Sequence, residues 1–556
     1  MKRIGTFKRV PAWVSLCTLT AIGTFAATGI QAGRNSWDGV VVEAAQQGAI
    51  DVTSLTLADI QAGYARNLFT AEQLVQAYLN HIAQYESAYN AFTFINPFAL
   101  DQAREIDRLK KAGRKLGPLA GVPVVIKESM DVVGFPSTAG WFRLSSLAGG
   151  IDLYPSQNAT IVQRLLDAGA IVIGKTNIPA FSDDGTRANS SWDGPTYNAV
   201  DRELAPGASS SGTATAVAAG FVPVGLAEET GGSIQNPAGA QSLVGIKPTF
   251  GLVPTSGVVP LGGSTRDVVG PIATNVFDAA LVLDAIAGYS PDDPKTAMSI
   301  GHIPARGYTS QLRRTALRGK RIGLYGPGWR SANLSPQTQA LYNRAVAELT
   351  AEGAIVVTDP FAGSGFAELA LANEPYDFRG TESAAYDLTL YLQRLGVPSL
   401  DALRQLAGAS PFDEGQPLRW YVDVLPALAA SLQNPSAAPD LSEFNVLRDA
   451  YLAVFNQVMA AHSLDALVFP QTTESIPELF SGEFISETTV SAINIAGLPA
   501  VTVPGGQYGN GAPFSLIFVG RQWSEAELLG LAYSYEQATR YRIVPELVTI
   551  DSAASR

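Results

Sequence analysis

Two serines and one lysine carry the chemistry that this sequence offers. Ser209 and Ser233 sit in separate glycine loops, Gly207-Ala-Ser-Ser-Ser-Gly-Thr213 and Glu229-Thr-Gly-Gly-Ser-Ile-Gln-Asn-Pro237. Glycine lets backbone come close to a reacting group and reach positive φ. A serine hydroxyl becomes a nucleophile once a base takes its proton. Histidine, the usual base, is scarce: His81, His302 and His462 are the only three. None forms a metal-ligand pair of the H-x-x-x-H kind, and His81 reads as the surface of an amphipathic helix. Lys127 ends the apolar run Val122-Pro-Val-Val-Ile-Lys127, an unusual end for a core strand. To act as a base at pH 7 it must be neutral, so its pKa must fall by about 3, a penalty of roughly 4 to 5 kcal/mol from burial or like charge. Its other fate is to snorkel or to pair with the adjacent Glu128, and spacing alone does not choose.

Other chemistries are disfavoured. Gly207 and Gly212 are spaced as in a phosphate-binding loop, but Thr213 stands where the lysine of that loop belongs. Gly207-Ala-Ser209 opens like a nucleophile elbow, but position 211 is serine rather than glycine, and no lysine completes an S-x-x-K pattern. The net charge is −12 with no long basic block, which argues against a nucleic-acid partner. No cofactor or metal is expected.

The elements that must position these residues follow an α/β pattern. Thr70-Ala-Glu-Gln73 is a capping box that opens a helix to about Tyr85. A second helix runs from about Pro97 to Ala112, so two helices lead into a sheet. Val124 to Ile126 reads as a buried strand. A helix from Thr160 to Asp167 precedes a strand from Ala170 to Ile173, and Gly174-Lys-Thr-Asn177 reads as the turn leaving it. After a loop-like stretch over 289–318, Arg321 to Gly326 reads as a strand, Gln337 to Glu352 as a helix and Ala354 to Val357 as a strand. Residues 360–450 are helical with proline and glycine breaks and no repeat. Asp465 to Pro470, Gly497 to Pro504 and Pro513 to Gly520 read as strands, with a helix from Ser524. No linker is polar enough to separate independent domains.

The N-terminus stands apart. Lys2, Arg3, Lys8 and Arg9 precede an uncharged run from Val10 to Gly33, with Ala26, Ala27 and Ala32 near its end. This predicts a cleaved signal peptide over 1–32, an irregular leader over 33–53, and export to the periplasm or beyond. The run is long enough to span a bilayer, but its threonine, serine and glycine content makes a poor anchor. The single cysteine, Cys17, lies inside it, and Leu16 before it disfavours lipidation. Cleavage removes four basic residues and no acidic ones, taking −12 to −16. The mature chain then has no thiol for catalysis, metal or disulfide.

The two glycine loops and their surroundings resemble the amidase signature family. Gly207 to Thr213 is similar to its G-G-S-S-G-G-S, and Glu229 to Pro237 to its D-x-G-G-S-I-R-x-P, closed by Gly245-Ile-Lys-Pro-Thr249. Val122 to Lys127 matches V-P-x-x-x-K, Gly174 to Asn177 matches G-K-T-N, and Gly497-Leu-Pro with Val503-Pro504 resembles a C-terminal G-x-P motif. The resemblance spans about 54–540. It implies one large α/β/α domain over 54–548 with a mixed central sheet between helices, and a variable cap over 300–460 that shapes the substrate pocket. Tyr376, Phe378, Tyr386, Trp420 and Tyr421 are that region's candidate lining.

By the same resemblance Ser233 is the nucleophile, Ser209 relays its proton, and Lys127 is the general base. The backbone N–H groups of Thr230, Gly231, Gly232 and Ser233 form the oxyanion hole, Ser210 steadies its loop, and loop 137–140 borders the acyl pocket. The peptide bond before Ser209 is cis in the family. The implied activity is hydrolysis of a small-molecule amide through an acyl-enzyme, with no nucleic acid and no stable membrane association after cleavage. A homodimer stays open. Esters and carbamates suit the same triad. A glutaminase subunit of an amidotransferase is the other enzymatic reading, and a non-catalytic binding protein is the reading from another class. Four positions near the loops depart from the family: Ala208 for glycine, Glu229 for aspartate, Gln235 for arginine, and Asn236. Gly239 is a fifth. If a charge pair normally joins positions 229 and 235, a neutral amide must do that work here by hydrogen bonds.

Overall fold

Eleven strands of this chain pair into a single mixed sheet in a computed structural model that describes residues 50–330, 332–371 and 377–550. The signal peptide, most of the leader and Tyr376 lie outside the described residues. The strands are β1 (Phe92–Ile95), β2 (Pro123–Lys127), β3 (Ile171–Thr176), β4 (Val224–Glu229), β5 (Val244–Lys247) and β6 (Val268–Ala273), then β7 (Arg321–Leu324), β8 (Ile355–Val357), β9 (Ala466–Pro470), β10 (Ala500–Gln507) and β11 (Pro513–Val519). Their order across the sheet is β1-β3-β2-β4-β6-β5-β10-β11-β9-β7-β8. β2 runs parallel to both β3 and β4, whereas β4–β6, β6–β5 and β5–β10 are antiparallel.

Both faces of this sheet are covered, so its strands read as continuous apolar runs. In β2, Val124 and Ile126 join the apolar cluster that holds Leu283 and Leu528, while Val125 joins the cluster on the other side with Val217 and Phe221. Alternation therefore puts Lys127 on the Val125 side. The helix Ser211–Ala218 lies there and is buried along its whole length. Small Ala, Thr and Gly side chains let it sit close. A Cβ on Gly212 would come within 2.4 Å of the Asn177 amide nitrogen and 2.3 Å of the Ala91 carbonyl oxygen. This close seat lets the residues just before the helix meet the end of β2.

Several elements differ from expectation. The second helix, Ala99–Lys111, is preceded by strand β1, so the two helices do not lead directly into the sheet. β1 has only four residues, Phe-Thr-Phe-Ile, too few to show a period. Gly174, Lys175 and Thr176 are strand, not turn. Lys175 is tolerated in that buried strand because its ammonium meets Glu128 at 3.3 Å and the Pro136 carbonyl at 3.0 Å. β10 starts at Ala500, because Val490–Ile495 is helical and Gly497 turns the chain at φ 64°. The segment 300–460 is of two kinds. β7, β8 and the helix Pro336–Ala351 extend the sheet and its cover. Residues 384–432 form a separate apolar cluster with Trp141, Phe181 and Leu261.

That second part is tied to the core through Asp131, a buried carboxylate. It accepts hydrogen bonds from the Tyr391 hydroxyl and from Ser137, both at 2.7 Å, and pairs with Arg394 at 3.4 Å. Tyr391→Phe removes one donor from this buried anion. The expected loss is about 1.5 to 3 kcal/mol, read as a lower urea midpoint with an unchanged slope.

Candidate active site

The carboxyl ends of parallel β2 and β4 bring the key residues together. Lys127 is the last residue of β2, and Glu228 and Glu229 are the last two of β4. The register Ile126 to Leu226 sets these ends side by side. The turn before the helix Ser211–Ala218 supplies the third piece. Lys127 Nζ lies 2.6 Å from Ser209 Oγ. Both side chains are wholly buried. The Ala208–Ser209 peptide bond is cis. Ser210 Oγ donates to the Glu228 carbonyl at 3.3 Å and Ser211 Oγ to the Gly207 carbonyl at 2.7 Å, so the two neighbouring serines hold the loop.

Lys127 does not pair with Glu128. Its ammonium nitrogen meets the Glu228 carboxylate at 2.7 Å and the Glu228 carbonyl at 3.1 Å. Glu128 points elsewhere. It accepts from the Thr138 N–H at 2.7 Å and the Gly140 N–H at 3.2 Å, besides Lys175. The carboxylate next to Lys127 in sequence thus shapes loop 137–140, and the one beside it in space comes from β4. Burial pushes the Lys127 ammonium below the ordinary lysine range, while Glu228 pulls it back.

Ser233 follows in the turn after β4. It is 5% exposed, and Gly231 two residues before it is half-buried, so the turn reaches toward the surface. Gly232 has φ 92°, the left-handed region that favours glycine, and a Cβ there would press on Asn236 at 2.9 Å. The amides of Gly231, Gly232 and Ser233 have no protein acceptor among the described residues, and neither does the Ser233 hydroxyl. Free amides on one turn are what an incoming oxyanion requires. The structure therefore joins Lys127 to Ser209, and places Ser233 and its turn at the end of the strand that carries Glu228.

The departures at 229, 235 and 236 form one network. Glu229 Oε2 accepts from the N–H groups of Ile234 at 2.8 Å and Gln235 at 3.1 Å. Its Oε1 accepts from Asn494 Nδ2 at 2.8 Å and from the Gln235 side-chain amide. Four neutral donors thus hold this carboxylate, and no arginine is needed. Asn236 ties the turn outward, donating to Gly185 O at 3.1 Å and to Glu487 at 2.8 Å. Glu229→Gln turns an NH₂ group toward these donors, of which only Asn494 Nδ2 has another acceptor, the Val490 carbonyl at 2.9 Å. The expected cost is about 1 to 3 kcal/mol at the turn, hence about 5- to 150-fold in kcat with KM nearly constant. Steady-state kinetics with a chromogenic amide read it.

Sequence reasoning missed Glu228, Asp267 and Asn494. Glu228 carried a signal, since two adjacent carboxylates at the end of a buried strand demand partners. Asp267 and Asn494 lie too far along the chain for spacing to connect them. Of the aromatic candidates, Tyr421 shares this neighbourhood. Burial pushes its hydroxyl far above the usual tyrosine range, with Asp183, Asp267 and Glu228 adding to the effect. Its ring packs against Trp420 at a tilt of 34°, centroids 4.0 Å apart, and both rings meet Phe378 edge-on. The histidines lie elsewhere. His81 is not a bare surface residue, since it is half-buried, bonding the Ala219 carbonyl at 2.9 Å, and His302 stacks on Trp523.

Known proteins are similar to this chain in sequence and fold. A family model described as Amidase matches residues 73–529. A glutamyl-tRNA(Gln) amidotransferase subunit of Moorella thermoacetica is 32% identical over 487 residues, covering 87% of this chain and 96% of that protein. The native peptide amidase of Stenotrophomonas maltophilia superposes with a TM-score of 0.72 at 33% identity, covering 90% of this chain and 100% of that one. An amidase family protein of Bacillus anthracis gives 0.72 at 27% identity over 89% of this chain and 93% of that one.

Proposed function

We propose, from the premise that the chain belongs to the amidase signature family and is an enzyme acting on amide carbon–nitrogen bonds, that it hydrolyses its substrate through an acyl-enzyme on Ser233. The observation that carries this reading is the buried 2.6 Å contact of Lys127 with Ser209 beside the open amides of the Ser233 turn. Ser233 Oγ attacks the amide carbonyl carbon, and its proton passes through Ser209 toward Lys127. The carbonyl oxygen becomes an oxyanion held by the N–H groups of the turn 230–233. The proton returns through Ser209 to the leaving nitrogen as the carbon–nitrogen bond breaks, releasing amine or ammonia. Water then attacks the ester on Ser233, its proton following the same relay, and the carboxylate leaves.

The substrate is a small-molecule amide, and peptide C-terminal amides are the first class to test, given the similarity to the peptide amidase. The enzyme is exported, its N-terminal 1–32 being removed; N-terminal sequencing of the protein from a periplasmic fraction reads this. A hydrolysis panel of peptide amides, primary amides, anilides, carbamates and esters tests the reaction. Labelling of Ser233 by a serine-reactive phosphonate tests the nucleophile. No turnover and no labelling would refute the reading. The similarity to the amidotransferase protein of Moorella thermoacetica favours a second reading, glutamine hydrolysis feeding a partner protein. Release of ammonia from glutamine above all other amides would establish it.

A further inference from the structure

From Lys127 a chain of buried polar groups runs on through Glu228, and the triad does not use it. Glu228 Oε2 is 2.7 Å from Lys127 Nζ, and its Oε1 is 3.2 Å from Thr230 Oγ1. Thr230 Oγ1 is in turn 2.6 Å from Asp267 Oδ1. All four residues are buried. Asp267 is otherwise surrounded by donors, the N–H groups of Leu261 at 2.9 Å and Gly262 at 3.0 Å. The proton inventory decides what this chain holds. A threonine hydroxyl has one hydrogen, and here it stands between two carboxyl oxygens. Both contacts are hydrogen bonds only if one of the two carboxyls is itself protonated and donates. Two buried carboxylates this close to one hydroxyl also repel, which favours the same extra proton.

We propose that Glu228, with Thr230 and Asp267, is the proton store of the relay, so that the working base is the Lys127–Glu228 pair rather than a lone neutral lysine. This rests on the acyl-enzyme reading above. With one proton on the pair, Lys127 as an amine donates to Glu228 Oε2 and to the Glu228 carbonyl, and its lone pair accepts the Ser209 hydroxyl. When Ser233 attacks, its proton moves to Ser209, and the Ser209 proton moves to Lys127. Lys127 is free to take it because it has already handed its own proton to Glu228, which stands as the neutral carboxyl of the pair. Every proton gained by the pair is returned to the leaving nitrogen, so the account balances without another reactant. Glu228 touches no reacting atom and acts through Lys127; it is a positioning residue. Burial, and then the charge of Glu228, push the Asp267 carboxyl up to about 7, in keeping with one proton shared among these groups. The charged groups facing them are Lys127, Glu229 and Arg266, whose Nε donates to the Thr230 carbonyl at 3.1 Å, with Asp183 reaching them through Tyr421.

The consequence is a pH range. The pair with one proton is competent and is silenced only when it takes a second, which needs a lower pH than the first. A lone lysine is silenced as soon as it takes its first. Glu228→Gln keeps the shape and removes the store. The acidic limb of kcat/KM is expected to move up by about 2 pH units. The loss is about tenfold or more at pH 6 and shrinks as pH rises. A limb that stays in place or moves down overturns the proposal, whatever the rate. A second readout needs no turnover. The infrared difference between wild type and Glu228→Gln at pH 7 is expected to show loss or displacement of a protonated carboxyl band, and no such change overturns it. Failure of wild type to label at Ser233 would instead sink the acyl-enzyme reading, leaving the infrared result to judge the store.

Discussion

Ser233→Ala is expected to remove turnover almost completely, by about 10⁴-fold or more, because loss of a covalent nucleophile leaves only the binding and oxyanion terms. No neighbour can substitute. Ser209 is wholly buried with its hydroxyl 2.6 Å from Lys127. Ser210 is spent on the Glu228 carbonyl and Ser211 on the Gly207 carbonyl. Stability should hardly change, since the Ser233 hydroxyl has no partner among the described residues and its deletion strands no donor or acceptor. Substrate binding should persist, because the turn amides and pocket walls stay. The informative experiment combines phosphonate labelling, mass spectrometry of the labelled peptide, and calorimetric titration with the amide substrate. Label on Ser209 in the variant, or retention of more than about a hundredth of the activity, would reassign the nucleophile.

Local sequence carried the parts of this site that lie within one element. The glycine loops, the lysine at the end of β2 and the capped helix Ala71–Tyr85 each announce themselves over a few residues. What did not show is what pairing in space decides. Lys127 had an acidic neighbour in sequence, Glu128, yet successive residues at a strand end point to opposite sides. Glu128 therefore turns to Lys175 on β3 and to loop 138–140, and the partner of Lys127 comes from β4. The same limit explains β3. A lysine inside a buried strand looks like a turn until the carboxylate that neutralises it is known. β6 was invisible as a strand because Gly270 and Pro271 interrupt its apolar run, although its seat between β4 and β5 is fixed by six pairs with β4. The departures Glu229 and Gln235 were legible as departures. Their remedy, a donor from Asn494 some 265 residues on, was not.

Lys127→Ala is the other large effect, and it separates two roles that this lysine plays at once. As the base of the relay, its loss is expected to lower kcat/KM by about 10²- to 10⁴-fold, the usual range for general acid–base catalysis. As the only cation within hydrogen-bonding distance of the Glu228 carboxylate among the described residues, its loss strands a buried charge, and breaking such a pair costs about 3 to 5 kcal/mol. Activity alone cannot tell these apart, since a loosened turn after β4 would also displace Ser233. The double variant Lys127→Ala/Glu228→Gln can. It removes the stranded carboxylate, so the stability lost in the single variant is expected to return in large part, giving a coupling energy well outside additivity in denaturant titrations. Catalysis is not expected to return with it, because a restored scaffold still lacks a group to take the proton from Ser209. Recovery of both together would make Lys127 a structural residue of the turn and would leave the relay without a base. Recovery of stability alone places the chemistry on the 2.6 Å contact between Lys127 and Ser209, with Glu228 acting behind it.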